Sequence, residues 1–147
     1  MRKTISTAKA PAAIGPYSQG VDLNGTVYVS GQIPVNPADG SIPAGIELQT
    51  RQAMDNIGAI LNEAGLTYND IVKTTVLLAD LADFAAMNAV YAEYFPQDKP
   101  ARVCCQVLRA IQTYPAYYDI AFLSDGFPYG PVHNSENCAE QTEADIS

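Results

Sequence analysis

The sequence is short of positive charge. Its 147 residues contain 8 Lys and Arg against 16 Asp and Glu, which gives a formal net charge of −8. Nucleic acids bind proteins largely through basic side chains that contact phosphates, usually gathered on one surface. The charge balance therefore makes nucleic acid a poor candidate partner.

Long apolar runs are also missing. No stretch approaches the roughly 20 apolar residues that cross a bilayer, so we expect no contact with a membrane. Residues 1–5 (MRKTI) are basic, but the apolar segment of a secretory signal does not follow them. These features predict a cytoplasmic protein.

Histidine and cysteine are too few and too scattered to indicate a metal site. His133 is the one histidine, Cys104 and Cys105 are adjacent, and Cys138 lies far along the chain. A zinc site needs several such ligands at defined spacings. A disulfide between neighbours on a strand would be strained, because their side chains point to opposite faces. We predict reduced thiols, no metal and no cofactor.

The composition divides the chain into two parts. Apolar residues make up 48% of the sequence and charged residues 16%, which favours a folded domain with a substantial core. We assign that single domain to residues 1–123. Residues 124–147 have five acids, no Lys or Arg and no periodicity. They are predicted to form an acidic tail that is mobile or draped over the surface.

The periodic segments predict an α+β fold with the order ββαβαββ. Asn24-Gly25 separates two β-prone runs, and this dipeptide favours a hairpin because both central residues of a type I′ turn need positive φ. Asp80 can cap the second helix. The predicted strands span 17–23, 26–31, 71–78, 101–108 and 116–123, and the predicted helices span 46–64 and the segment from Asp80 to Pro96.

One mixed sheet with two helices on one face accounts for this order. The other face of such a sheet needs a cover, and oligomerisation through it is the simplest one.

Arg102 is the most informative charged residue, since it begins a predicted strand in a region with few bases. Its planar guanidinium can bind a carboxylate through two parallel hydrogen bonds. Spacing alone slightly favours a structural ion pair with one of the many acids over a ligand clamp. The residues by themselves leave both interpretations open.

Five blocks of sequence carry a resemblance to a known family. They are 12–20 (AAIGPYSQG), 30–35 (SGQIPV), 73–76 (KTTV) with 80–84 (DLADF), 88–91 (NAVY) and 100–104 (PARVC). These blocks resemble the Rid (YjgF) family and occur in its order across residues 3–123. The resemblance implies a chorismate-mutase-like fold. It also implies a homotrimer, a ring of head-to-tail contacts with ligand clefts between neighbouring subunits.

The resemblance implies hydrolysis of reactive enamines and imines, such as 2-aminoacrylate and 2-iminobutanoate, to 2-keto acids and ammonia. It assigns Arg102 to the substrate carboxylate and a backbone group of Cys104 to the imine nitrogen. The residues that it implies for the cleft lining are Tyr17, Ser30, Gly31 and Asn88. Each also has a plainer explanation, as a sheet aromatic, a turn glycine or a helix residue hydrogen-bonded to a loop.

A nucleophilic role for Cys104 is disfavoured, because no histidine in the domain can act as its base. Cys105, on the opposite face of the strand, is expected in the core.

The sequence departs from the family on the final strand. Family deaminases carry a glutamate there that positions the attacking water, and the ungapped count of fifteen residues from Arg102 reaches Tyr117. Asp119 shares strand parity with Tyr117 and could replace the glutamate if the turn at 112–115 is two residues longer. Otherwise Asp119 is an ion-pair or interface carboxylate.

Two classes of function therefore remain. The first is an imine deaminase that binds its substrate through Arg102 and uses either Asp119 or water held by backbone groups. The second is a non-catalytic protein that binds small 2-keto acids or related carboxylates. The family's reported ribonuclease and chaperone-like activities suggest a third class, and the negative charge counts against a ribonuclease.

Overall fold

A computed structural model describes residues 1–107 and the backbone of 116–121. The predicted turn at 112–115 and the predicted tail at 124–147 lie outside these residues. In the described part of the chain, no helix is long and apolar enough to span a membrane. The elements are β1 (Arg2–Ile5), β2 (Gly20–Leu23), β3 (Thr26–Gln32), α1 (Ile46–Glu63), β4 (Lys73–Leu78), α2 (Phe84–Tyr94), β5 (Ala101–Gln106) and β6 (Ala116–Ala121), with 3₁₀ turns at Tyr68–Asp70 and Leu81–Asp83.

The six strands form one mixed sheet in the order β1-β2-β3-β6-β4-β5. Strands β4 and β5 run parallel, and the other neighbouring strands run antiparallel. The prediction of an α+β fold with a single mixed sheet is confirmed.

Strand β1 was not predicted, so the observed order is βββαβαββ. Its first three residues are exposed and Ile5 alone is buried. The apolar alternation that identifies a strand is therefore missing.

The hairpin between β2 and β3 forms at the predicted dipeptide. Asn24 and Gly25 have φ angles of 54° and 89°, and Leu23 pairs with Thr26 across the turn. The Gly25 amide also donates to Asp22 Oδ1 at 2.9 Å. Strand β2 begins at Gly20 rather than at residue 17, because the preceding residues fold into a loop.

The core lies between the two helices and one face of the sheet. Its fully buried members include Met54, Ile57, Ile60 and Leu61 of α1, Met87 of α2, and Val76 and Leu78 of β4. Burying each of these side chains contributes about 1.5–3 kcal/mol to folding. Each helix therefore turns one apolar face to the core, although Phe84 at the start of α2 is 37% exposed.

The two helices end and begin in different ways. Helix α1 stops before Gly65, whose φ of 77° is the left-handed conformation that glycine commonly adopts just after a helix. Asp80 caps the 3₁₀ turn and not α2, since its carboxylate accepts from the Ala82 amide at 2.8 Å and α2 begins at Phe84.

The opposite face of the sheet carries no helix in the described chain. Tyr28 is 46% exposed there and Val103 is 40% exposed. Cys105 lies on this face and is half-buried, so the expectation that it belongs to the core is wrong. Strand alternation brings Cys104, and not Cys105, against the helices.

Candidate functional site

Arg102 lies on β5 and faces α2. The parallel register places it beside Thr74 of β4. Its Nη2 donates a hydrogen bond to Asn88 Oδ1 on α2 at 2.8 Å. Within the described residues, the one ion pair within 4.0 Å joins Arg51 and Glu93. The ion-pair interpretation of Arg102 therefore finds no partner in this part of the chain.

Two aromatic rings adjoin the guanidinium. Its Cζ atom lies 4.6 Å from the ring centroid of Tyr91 and 5.6 Å from that of Phe84. Both distances fall within the roughly 6 Å over which a cation is attracted to an aromatic face. The cation is thus held by a neutral amide and by aromatic rings.

The Tyr91 ring is itself held in place by two neighbouring side chains. Its hydroxyl lies 2.7 Å from the buried Thr74 Oγ1, and its ring centroid lies 4.7 Å from that of Phe95. Burial raises the pKa of Tyr91, against smaller lowering effects of the Thr74 hydrogen bond and the Arg102 charge. The hydroxyl therefore keeps its proton at neutral pH.

The contact between Tyr91 and Arg102 was not predicted from the sequence. The spacing contained a usable signal. Phe84, Asn88 and Tyr91 stand at i, i+4 and i+7 on α2, so they share one face of the helix.

Cys104 follows Arg102 by two residues and lies on the same face of β5, half-buried against the core. Burial raises the pKa of the Cys104 thiol; the charge of Arg102 lowers it by less, and Cys105 adds a smaller raising effect. Nucleophilic cysteines react as thiolates. The protonated thiol of Cys104 is thus poorly suited to attack a substrate. We call Arg102, Asn88, Tyr91 and Cys104 the arginine group.

Tyr17, Ser30 and Gly31 form a second set, which we call the bulge group. Ser30 ties β3 to the loop that carries Tyr17, since its Oγ donates to the Ser18 carbonyl at 2.6 Å and its amide donates to the Gln19 carbonyl at 2.9 Å. The Tyr17 side chain is 50% exposed and lines a cleft of about 430 Å³ beside β1.

The loop around Tyr17 is organised by the buried side chain of Gln19. Its Nε2 donates to the carbonyls of Thr7, Ala10 and Pro11 at 3.0, 3.2 and 2.8 Å. Its Oε1 accepts from the Thr7 amide at 2.6 Å. Four hydrogen bonds from one side chain therefore fold residues 7–19 against the sheet. This role was not predicted, because an isolated Gln carries no spacing signal.

Ser30 and Gly31 occupy a β-bulge. Val29 pairs with residue 120 and Gln32 pairs with residue 118, so three steps on β3 match two steps on β6. The two bulge residues consequently oppose Asp119. Bulges interrupt the regular pairing of strands and often lie next to active sites.

The backbone register separates Asp119 from Arg102 within one chain. Asp119 lies in the row of Thr75 and Val103, whereas Arg102 lies in the row of Thr74. Thr74 and Thr75 face opposite sides of the sheet. The Asp119 side chain lies outside the described residues, so its role as the carboxylate that positions water stays a prediction.

The predicted site residues therefore fall into two sets. Strands β6 and β4 lie between β3 and β5 in the sheet. The distance from β3 to β5 is therefore three strand spacings, or about 14 Å at the usual 4.7–4.9 Å each. The fold brings Arg102, Asn88 and Cys104 together, and it ties the bulge at Ser30 and Gly31 to the loop that carries Tyr17. It does not bring the two sets into one cleft of a single chain.

Comparison with protein families gives one match, to the family described as endoribonuclease L-PSP, over residues 7–115. Among curated proteins, the chain is 54% identical over 112 residues to the 2-iminobutanoate/2-iminopropanoate deaminase of Escherichia coli K12. That alignment covers 74% of this chain and 88% of the relative. The deaminase of the same name from Mus musculus is 51% identical over 108 residues, covering 73% of this chain and 80% of the relative.

Solved structures agree with these matches. The crystal structure of Escherichia coli TdcF with bound serine superposes with a TM-score of 0.80 at 44% identity, covering 83% of this chain and 98% of that one. The YjgF gene product of Escherichia coli gives a TM-score of 0.79 at 48% identity, covering 82% and 98%.

Proposed function

The chain belongs to the endoribonuclease L-PSP (YjgF/Rid) family, and from this premise we propose that it is an imine deaminase. It hydrolyses reactive enamines and imines, such as 2-aminoacrylate and 2-iminobutanoate, to 2-keto acids and ammonia. The observation that supports this proposal most directly is the environment of Arg102, whose described partners are Asn88 and aromatic rings. The chain is also 54% identical to a protein named as such a deaminase. A guanidinium held by neutral groups keeps its charge for the carboxylate of a ligand.

In the proposed reaction, Arg102 binds the substrate carboxylate and a backbone group of Cys104 contacts the imine nitrogen. Water adds to the imine carbon and one of its protons moves to nitrogen, which gives a carbinolamine. The carbon–nitrogen bond then breaks as the carbinolamine hydroxyl loses its proton to the departing nitrogen, leaving the 2-keto acid and ammonia. The imine carbon is already electrophilic. Binding and orienting the substrate beside a water molecule therefore supply much of the rate increase.

We further propose that the cleft is completed by a second copy of the chain, in a homotrimer. Two observations support this arrangement. The arginine group and the bulge group lie about 14 Å apart across β6 and β4 of one chain. The helix-free face also exposes Tyr28 and Val103, which a neighbouring copy would cover. Head-to-tail contacts of this kind close into a ring.

Asp119 is proposed as the carboxylate that positions the water. The register supports its membership of the bulge group, since it opposes Ser30 and Gly31 on the neighbouring strand. In this arrangement Asp119 of one copy acts on a substrate held by Arg102 of the next copy.

The activity test generates 2-iminobutanoate with a threonine dehydratase and follows the semicarbazone formed by imine that escapes hydrolysis. Wild type should suppress the semicarbazone and speed 2-ketobutyrate release. Arg102→Ala should lower kcat/KM by about 100-fold, the cost of losing a charge-assisted carboxylate contact of about 3 kcal/mol. Asp119→Asn should lower kcat with little change in KM.

Two results would contradict these assignments. If wild type gives no acceleration while 2-ketobutyrate still raises its Tm, the protein is a binder and not a deaminase. Full activity of Asp119→Asn beside an inactive Arg102→Ala would remove Asp119 from the mechanism.

A further inference from the structure

We propose that Tyr91 is a positioning residue for Arg102, and that Tyr91, Thr74 and Asn88 form a neutral cradle that orients the guanidinium toward a ligand carboxylate. This inference rests on the proposed function in one respect, namely that the ligand of Arg102 is a small carboxylate. It assigns a role to a buried tyrosine–threonine pair that the reaction itself does not use.

The cradle restricts the orientation of the guanidinium through two contacts. The Tyr91 ring covers it at 4.6 Å, and Asn88 Oδ1 binds Nη2 at 2.8 Å. An arginine side chain has many rotamers in solution, and ordering it on binding costs entropy. Contacts that fix the plane and one donor before the ligand arrives reduce that cost, while the remaining donors stay available for a carboxylate.

The neutrality of the cradle is as important as its shape. An acidic partner at the same place would compete with the ligand carboxylate for the guanidinium. An aromatic face and an amide oxygen attract the cation without cancelling its charge. The burial that raises the pKa of Tyr91 also keeps a phenolate from forming beside Arg102.

Thr74 fixes the ring that does this. Its Oγ1, fully buried, lies 2.7 Å from the Tyr91 hydroxyl, and the Phe95 ring supports Tyr91 at 4.7 Å. Thr74 also neighbours Arg102 in the parallel register of β4 and β5. The same residue, Thr74, therefore contacts the Tyr91 hydroxyl and lies beside Arg102 in the sheet.

The test measures the Kd of 2-ketobutyrate by calorimetry on the full chain, which reports the cradle without requiring turnover. Tyr91→Leu removes the ring and should weaken binding about tenfold, whereas Tyr91→Phe keeps the ring and should stay within about threefold. Tyr94→Leu is the matched control on the same helix, since the Tyr94 hydroxyl bonds Asp55 and the Arg51 carbonyl instead. Its Kd should change by less than about twofold, whatever its loss of Tm.

A double-mutant comparison shows whether Tyr91 acts through Arg102. In an Arg102→Ala background, adding Tyr91→Leu should change kcat/KM by less than about twofold, because the group that Tyr91 positions is gone. A purely structural role for Tyr91 would give the same loss in both backgrounds. That outcome would overturn the proposal.

The remaining outcomes also decide the matter. An unchanged Kd in Tyr91→Leu overturns the cradle even if the enzyme turns over substrate. A weakened Kd in a protein without turnover supports the cradle and removes the proposed function. No 2-ketobutyrate binding by wild type overturns the cradle, while the semicarbazone assay decides the proposed function separately. If Tyr91→Leu does not fold, Thr74→Val decides, with about threefold weaker binding expected and an unchanged Kd contradicting the cradle.

Discussion

The arginine group and the bulge group are built by different means. Arg102 is a charged side chain on a strand, and it is held by side chains of α2 through one hydrogen bond and aromatic faces. Ser30 and Gly31 belong to an interrupted strand, and the loop beside them is held by hydrogen bonds to backbone groups through Gln19.

This difference separates two tasks. A cation that must bind an anion needs support that leaves its charge intact, and neutral side chains on a rigid helix provide that support. A loop that must present backbone and polar groups needs its own hydrogen bonds satisfied first, because buried unpaired amides and carbonyls are costly. Mutations of Arg102 and Asn88 should therefore change ligand affinity with little effect on folding, while mutations in the bulge group should change both.

The largest effect is expected for Gln19→Ala. Three carbonyls and one amide lose their partner, which should lower the free energy of unfolding by about 3 kcal/mol and reduce activity as the Tyr17 loop loosens. Gln52→Ala is the control, because Gln52 makes a single side-chain bond to Asn56. It should cost less than about 1 kcal/mol in urea unfolding. Equal losses in the two variants would show that Gln19 is not the organiser of the loop.

Next in size is Asn88→Asp, which keeps the shape of the side chain and adds a carboxylate beside Arg102. The new ion pair should compete with the ligand and weaken 2-ketobutyrate binding roughly 30-fold, about 2 kcal/mol. Asn88→Ala should weaken it only about fivefold, one lost hydrogen bond. Asn62→Asp adds the same charge at an exposed position of α1 and controls for net charge. A variant Asn88→Asp that binds as well as Asn88→Ala would contradict the requirement for neutrality.

A smaller effect is expected for Ser30→Ala, which removes the 2.6 Å bond to the Ser18 carbonyl. Unfolding free energy should fall by about 1 kcal/mol, with a matching loss of activity if the loop positions Tyr17. Ser41→Ala removes an exposed hydroxyl contact to Asp39 and should change neither quantity measurably. Lost stability with full activity would separate Ser30 from the site.

The smallest effect concerns Cys104 and pH. Because burial raises its pKa, the folded protein should hold less Cys104 thiolate at pH 8 than the unfolded chain does. Alkylation by iodoacetamide, followed by peptide mass spectrometry, should be slower in native protein than in denaturant, and the ratio of the denatured to the native rate should fall as the pH rises past the unfolded pKa. Since the folded state keeps this proton more tightly, the group's contribution to stability is lost as pH rises past its unfolded pKa. Faster native alkylation at neutral pH would reverse the sign.

The sequence predicted those parts of the fold that depend on local chemistry. Asn24-Gly25 defines the hairpin because few other dipeptides accept positive φ twice, and the apolar spacing of α1 defines its buried face. Strand β1 was missed because an edge strand with one buried residue has no alternation to read. Strand β1 is defined by its pairing with β2, a tertiary contact that the local sequence does not show.

The candidate site divides in the same way. Arg102 and Asn88 both lie in the sequence blocks that resemble the Rid family, and the structure brings them into contact. The support from Tyr91 and Thr74 joins residues seventeen positions apart by the packing of α2 against β4, which spacing alone does not reveal. The separation of the two groups likewise depends on the order β3-β6-β4-β5, in which β6, the last of the described strands, lies inside the sheet.

The central claim is that a complete site needs the arginine group of one copy and the bulge group of another. Coexpression of Arg102→Ala with Ser30→Asp, under two affinity tags, tests it directly. Ser30→Asp should be inactive alone because its charge repels an anionic ligand. In randomly mixed head-to-tail trimers about one cleft in four combines two intact groups, so activity should recover to about 25% of wild type. Activity no greater than that of the two variants measured separately would contradict a shared site.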